Sequence, residues 1–582
     1  MKAGRLSRRS FIRTLAAFGL ASPLASQLLG GVGGAQAPQG ADFTPSRPGG
    51  GGHFKALWWD APMLLNPLLA VGLKDSNASR VFYEPLASFD PEGRMLPVLA
   101  REIPSLQNGG VARDGKSVTW KLKRDVSWHD GALFTAADVV FTWEYAADPA
   151  TGSPALGLHR NVERVEALDS HTVRVAFTQP TPYWHVIGSI IPKHIFGPYK
   201  GARSREAPNN LRPIGTGPYR YVEFKPGDRL KAEINPLYHV RNRPFFDTLE
   251  VKGGGDAVSA ARAVLQTGEY NYAAELSGVE DEILKRLEPA SKGRVAYAFG
   301  GRVLQIQLNQ TDPWTEVGGE RSSTRTVHPF LTDQAVRSAM NLIVDRSAIQ
   351  HHILGRSGQA TANYLNAPER FSSPNTRWEF NIDKANQLLD AAGWRRGGDG
   401  FRTKAGKKLK MVFQTHTSAS REKIQAIVKN AAAKAGIDIE LKSVATSVFF
   451  SSDPANPDTY THFYADLQMF VRVMSSPDPE SFMRVFTSWE ITSKENQWQR
   501  PNVSRWRSEE YDRLYRSAET ELDPVKRAAL FIRMNDLVIE NVVVIPVCWV
   551  AKVAAISNRL RGVEHNAWDL DFWNLAWWHR VP

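Results

Sequence analysis

Side chains able to do chemistry are few and scattered. The single cysteine, Cys548, lies in an apolar Pro546-Val547-Cys548-Trp549-Val550 run. That is the setting of a buried strand thiol rather than of a nucleophile. His351 and His352 are adjacent, and neighbours on a helix diverge by about 100°. The pair lacks the i, i+4 spacing and the third ligand that a metal site needs, so a surface or helix-end role is expected. Asp478 and Glu480 form an acid pair of a kind too common to select a reaction. Pro213-Ile214-Gly215-Thr216-Gly217-Pro218-Tyr219 resembles a phosphate loop in glycine content only. It leads into a strand, Tyr219 to Phe224, with no helix N-terminus or Lys-Ser/Thr after it. No G-x-S-x-G, H-E-x-x-H, Walker loop or Cys/His cluster is found. The expectation is a protein that is not an enzyme and carries no cofactor. Trp58 and Trp59, at the end of a strand, would suit stacking on sugar rings, although most of the 17 Trp are expected in the core.

The elements that would position such groups are legible in the patterning. In Val118–Lys123, Val118, Trp120 and Leu122 alternate with Thr119, Lys121 and Lys123, which marks a half-buried strand. His129-Asp130-Gly131 turns the chain. Thr135 then caps a helix from Ala136 to about Ala146, with Asp138 favouring its positive end and Val139, Val140, Trp143 and Ala147 as its apolar face. His53–Trp59 and Thr172–Phe177 read as strands. From about Ala257 helices and strands alternate. Ala257–Thr267 is a helix and Gln305–Asn309 a strand, and Val336, Met340 and Ile343 mark one face of a helix ending near Ile349. Asp383–Ala392 is a helix closed by Gly393. Leu409–Phe413, Ile424–Ala435 and Ile437–Leu441 form a βαβ unit, whose crossover must be right-handed. Asp523-Pro524 opens a long helix that delivers the strand Val542–Val550.

With 582 residues, 42% hydrophobic and 23% charged, the chain has room for two or more ordinary globular domains. Of the net charge of +12, Lys2, Arg5, Arg8, Arg9 and Arg13 lie in one N-terminal segment without acids. The other Lys and Arg are scattered and no nucleic-acid motif is present, so no nucleic-acid partner is expected. The one apolar run is short and N-terminal, so no membrane span is expected after it.

Several of these segments resemble, in order, the signature of the family 5 extracytoplasmic solute-binding proteins, the oligopeptide, dipeptide and nickel receptors of ABC importers. Val118–Glu144 matches almost residue for residue. Tyr83-Glu84-Pro85-Leu86, Leu96–Ala100 and Gly215-Thr216-Gly217-Pro218-Tyr219 match the family's YEPL, P-x-LA and GTGPY segments. Val336–Ile349 and the Asp383–Trp394 region match two further helices of the family. The resemblance implies an α/β, two-lobe periplasmic-binding-protein fold (large cluster C type) with an interlobe ligand cleft. It also implies capture of a peptide-like solute by lobe closure and delivery to an ABC permease and ATPase complex, by a receptor expected to be monomeric. The same receptor class binding an oligosaccharide or an opine-like conjugate is the alternative, and a cleft hydrolase the alternative of another class. The chain then divides into a leader, 1–37, a linker, 38–52, a first lobe, 53–256, a second lobe, 257–545, and a return to the first, 546–582. The family's lobe crossing lies near a G-E-x-D segment, here Gly268-Glu269-Tyr270-Asn271.

Ser7-Arg8-Arg9-Ser10-Phe11-Ile12-Arg13 looks like a twin-arginine export motif, with Arg8, Arg9 and Phe11 as its signal residues. That resemblance implies the twin-arginine translocon as partner and a periplasmic location, with cleavage expected after Ala35 or Ala37. Arg472-Val473-Met474-Ser475-Ser476-Pro477-Asp478-Pro479 resembles the family's W-x-x-D-Y-x-D-P ligand loop. In peptide-binding members the first Asp of that loop holds the ligand's α-ammonium, and the matching position here is Ser475. The resemblance nominates Arg472, Met474, Ser475 and Asp478 as ligand-binding, with Asp466 or Asp478 as substitutes for the missing charge, and Trp58 and Trp59 join them as rings placed for stacking.

Overall fold

The computed structural model describes residue 43 and residues 45–581, apart from Trp59, Val71 and Ser452. The export-signal residues Arg8, Arg9 and Phe11 lie outside the described residues.

An eleven-stranded sheet runs through both halves of the molecule. In spatial order its strands are Asp438–Val444, Lys410–His416, Leu467–Val473, Gly293–Leu308, Val544–Ser557, Tyr272–Ala273, His53–Trp58, Thr248–Gly253, Arg229–Ile234 and Tyr219–Lys225, with Gly358–Ala360 added alongside Val544–Ser557. The two long central strands pair antiparallel and carry the chain from one half to the other. Ala554 and Ile556 belong to the core of the first lobe, with Phe54, Tyr219 and Trp578. Leu304, Ile306, Ile545 and Val547 belong to that of the second, with Met340, Met411 and Ile424. The expected βαβ unit is present as Lys410–His416, the helix Ala419–Lys434 and the parallel strand Asp438–Val444. Cys548 is a buried strand thiol, its pKa pushed up to about 12 by burial.

Val118, Trp120 and Leu122 are buried as their alternation requires. Their strand, Ser117–Lys121, is part of a separate three-stranded sheet with Thr172–Phe177 and Val162–Asp169. The helix Ala136–Ala147 is covered on two sides rather than along the single stripe expected. Val139, with half-buried Val140 and Trp143, packs on the small sheet. Phe141, Tyr145 and Ala146 pack into the main first-lobe core. Asp138 does more than favour the helix dipole: it accepts from the backbone N–H of Thr135 at 2.9 Å and from that of Lys193 at 3.0 Å. Gly215 and Gly217 are glycines because the chain crosses there at close quarters. A Cβ on either would collide with the carbonyl oxygen of Phe82.

Two expectations need correction. The helix expected to reach Ile349 stops at Leu342 and restarts at Arg346, where the Asp345 carboxylate caps the N–H of Ala348 at 2.9 Å. The buried Arg346 guanidinium fixes this break by donating to the Pro546 carbonyl and the Asn341 side chain. The exposed His351 bonds the Ser347 carbonyl. The Gly268–Asn271 segment is not the crossing. Asn271 ties its backbone and side chain to Lys55 and leads into Tyr272–Ala273, inside the first-lobe sheet. The backbone crosses further on, within Gly293–Leu308.

At the base of the first lobe, Lys552 reaches the fully buried Asp571 at 3.0 Å. Burial works against the Asp571 charge, but the neighbouring ammonium holds its pKa below the ordinary carboxylate value. Removing one partner of a buried pair leaves the other without compensation. Lys552→Met is therefore expected to lower the unfolding free energy by about 3–5 kcal/mol, measured by urea denaturation at neutral pH. A loss below 1 kcal/mol would show that Asp571 takes up a proton at little cost.

Candidate functional site

A cleft of about 380 Å³ lies between the lobes. The first-lobe wall is Ala87 and Phe89, on one strand of the hairpin Ala87–Phe89/Met95–Pro97, together with residues of the Thr181–Ser189 segment. Val473–Ser481 forms the facing wall, Arg302 and Lys552 rise from the two crossing strands, and Ala567–Leu570 closes one side. The facing wall is held by the crossing itself. The pairing of the central strands slips between Phe299 and Val303, and in this bulge the Gly301 carbonyl accepts from the Met474 N–H at 2.6 Å. A Cβ on Gly301 would collide with Met474, and one on Gly300 with Ala567. At the hairpin turn Gly93, with φ +76°, packs against Pro477 and Trp568. The hairpin is joined to the closing segment by Asn566, whose side chain donates to the Phe89 carbonyl at 2.7 Å.

Of the residues expected to bind ligand, Met474, Ser475 and Asp478 line this cleft. Met474 is buried and Ser475 exposed. Arg472 sits opposite Val303 in the sheet and does not line the cleft. Trp58 is a correction. With Phe54 and Ala56 it lies on the inward face of its strand, buried and stacked on Phe572 at 5.0 Å. Trp59 lies outside the described residues. Asp466 is also corrected: it is fully buried away from this cleft and accepts from His328 Nε2, Trp314 Nε1 and the Val412 N–H. Asp478 is held by Arg527, which bonds both of its oxygens. Neither of the two substitutes named for the missing charge is available.

The structure adds residues that no period or motif marked. Arg160 of the first lobe meets Glu480 at 2.8 Å and Glu519 at 3.3 Å, both in the second. Glu480 also lies 3.5 Å from Arg527. Burial first, then the Asp478 charge, pushes the Glu480 pKa up to about 7 in spite of Arg527 and Arg160. Glu519 is raised by burial as well. Tyr183, hydrogen-bonded to Ser476, is raised for the same reason. The His185 ring lies against Phe89 and Trp120, and burial lowers its pKa to about 4. Among the described residues no three His, Cys, Asp or Glu side chains are grouped to hold a metal ion.

Residues 95–494 match the bacterial extracellular solute-binding proteins, family 5 Middle. The chain belongs to this family. The receptor is 28% identical over 434 residues to the oligopeptide-binding protein AppA of Bacillus subtilis, covering 72% of its own length and 74% of that protein. Its fold is that of NikZ from Campylobacter jejuni, solved with Ni(L-His), at TM-score 0.73 and 21% identity over 91% of this chain and 99% of that one. It is equally that of B. subtilis AppA solved with a nonapeptide, at TM-score 0.70 and 22% identity over 92% and 100%. These are two-lobe solute-binding proteins rather than enzymes, and the family works outside the cytoplasm.

An acid whose pKa is raised on folding holds more protons folded than unfolded. Its contribution to stability therefore falls as pH rises from the ordinary 4.5 toward about 7. Glu480 faces Asp478, Arg527, Arg160, Glu519 and Tyr515, and Glu564, also pushed up to about 7, acts with the same sign. Glu480→Gln is expected to shrink the loss of unfolding free energy between pH 5 and pH 7 by about 2 kcal/mol, at about 1.4 kcal/mol per pH unit. Denaturant titrations of both proteins across that range check it. An unchanged slope would mean that Glu480 ionises normally.

Proposed function

We propose that the receptor captures a peptide-like solute in this cleft by lobe closure and hands it to an ABC permease and ATPase complex. The observation that carries the reading is a strand edge. Leu467–Val473 pairs along its full length with Gly293–Leu308, but with Lys410–His416 only as far as Met469. From Phe470 onward the other edge of this strand has no strand partner among the described residues, and the strand runs into the cleft wall at Val473–Ser476. An extended peptide can add there as a further strand. Main-chain hydrogen bonds would give affinity largely independent of sequence, and the cleft would take alternate side chains. The relatives named for oligopeptides and solved with a peptide support the same class of ligand.

Closure around the ligand fits the architecture, since two paired strands are a compact hinge. The hinge at Gly300–Gly301 also divides the lobes more naturally than a boundary at Ala257. We further read Arg8, Arg9 and Phe11 as the signal for twin-arginine export to the periplasm, with the mature receptor acting as a monomer. Receptor purified from its native host and released by denaturation is expected to yield a family of peptide masses in native mass spectrometry. A single sugar or opine-like conjugate mass would overturn the peptide reading, and steady turnover of a bound solute would overturn the receptor reading itself.

A further inference from the structure

Three carboxylates line the cleft: Asp478, Glu480 and Asp569. The first is paired with Arg527 and the second with Arg160 and Arg527. Asp569 forms no ion pair among the described residues. One of its oxygens accepts the backbone N–H of Phe89 at 3.2 Å and the other that of Leu570 at 2.7 Å. Lys552, the adjacent cation, donates to the main-chain carbonyl of Asp569 and places its charge on Asp571. Around this carboxylate the walls are aromatic: Phe89 and Trp568 pack in one cluster with Tyr183 at its edge. Two amide donors fix the carboxylate in place without cancelling its charge. A half-buried carboxylate without a cation is costly once closure removes water.

We propose that Asp569 receives the cationic amine of the bound solute, doing from the first-lobe side what Ser475 cannot do from the second. The inference rests on the peptide reading and deepens it, because it assigns the cleft to solutes with a free ammonium rather than to blocked ones. The carboxylate supplies a charge-assisted hydrogen bond, and the flanking rings can add cation–π attraction. The anchor moves across the cleft, so a peptide would be held by its amine on one lobe and by its backbone on the other. Both contacts are complete only when the lobes are closed.

The probe is a pool of tetrapeptides with uncharged side chains, supplied with free or with acetylated N-termini. Calorimetry and native mass spectrometry read binding to the full mature receptor. The expected result is a preference of tenfold or more for the free-amine pool. Asp569→Asn, which keeps an oxygen for only one of the two backbone donors, should abolish that preference. Asp569→Ser, with a shorter acceptor, should do the same and serves if the Asn variant folds poorly. Equal binding of the two pools by the unaltered receptor, or a preference that survives both substitutions, would overturn the assignment and leave the peptide reading standing. Failure of both pools to bind would remove the peptide reading, and the role of Asp569 with it.

Discussion

The antiparallel pairing of Gly293–Leu308 with Val544–Ser557 is the constraint on which the rest of the molecule depends. Both lobe cores are built on it: one end of the pair is covered by the Phe54–Trp578 cluster and the other by the Met340–Ile424 cluster. A continuous, regular ladder would make the two halves one rigid body. The slip in register at Gly300–Arg302 interrupts the ladder, because a bulge leaves backbone unpaired and bends the strand. The bulge is not slack. Gly300 accepts from the Trp549 indole at 2.6 Å and Gly301 from Met474, so the bend is tied directly to the cleft wall. Any change in angle between the lobes must move Met474 and Ser475 with it.

The charges of the cleft follow from the same geometry. Regular elements bring the lobes to face one another, but the loops and short turns at their ends supply the ions: Arg160 after a turn at Leu156–His159, Asp478 before a short helix, Asp569 in an irregular segment. Burial and the Asp478 charge raise the Glu480 pKa in spite of Arg527 and Arg160. Asp569 forms no ion pair among the described residues and is held by two backbone N–H groups. The contrast between these carboxylates, in one cleft, is more informative than the presence of any of them.

Much of the fold was legible because periodicity survives wherever one face of an element is buried. The strand at Val118, the helix capped by Thr135, the βαβ unit around Ile424 and the long helix opened by Asp523 all follow their patterns. The misreadings have physical causes. The helix Ala136–Ala147 serves two cores, which blurs its apolar stripe. The break at Ile343–Asp345 is fixed by a buried arginine whose partners are distant in sequence. Alternation along His53–Trp58 places Trp58 inward, so this aromatic residue belongs to the core. The site was less legible still. Ser475 could be singled out by the loop around it, but Arg160 and Asp569 sit in segments without a period and Glu519 on the polar side of a helix, and their meaning comes from contacts hundreds of residues away.

The cross-lobe contact of Arg160 with Glu480 and Glu519 has to be weighed against this background. Partly exposed ion pairs contribute at most about 1 kcal/mol, and this one must also offset the cost of burying two acids. It can bias the lobes toward contact but cannot hold them closed. A solute shifts the balance only by binding the closed form better than the open one. To move the lobes from mostly open to mostly closed it must contribute several kcal/mol of such preference. Contacts confined to one lobe contribute nothing to that difference. A strand edge on the second lobe and a carboxylate on the first, both without such a partner among the described residues, are therefore worth more together than apart. A solute spanning both is the one for which closure is downhill.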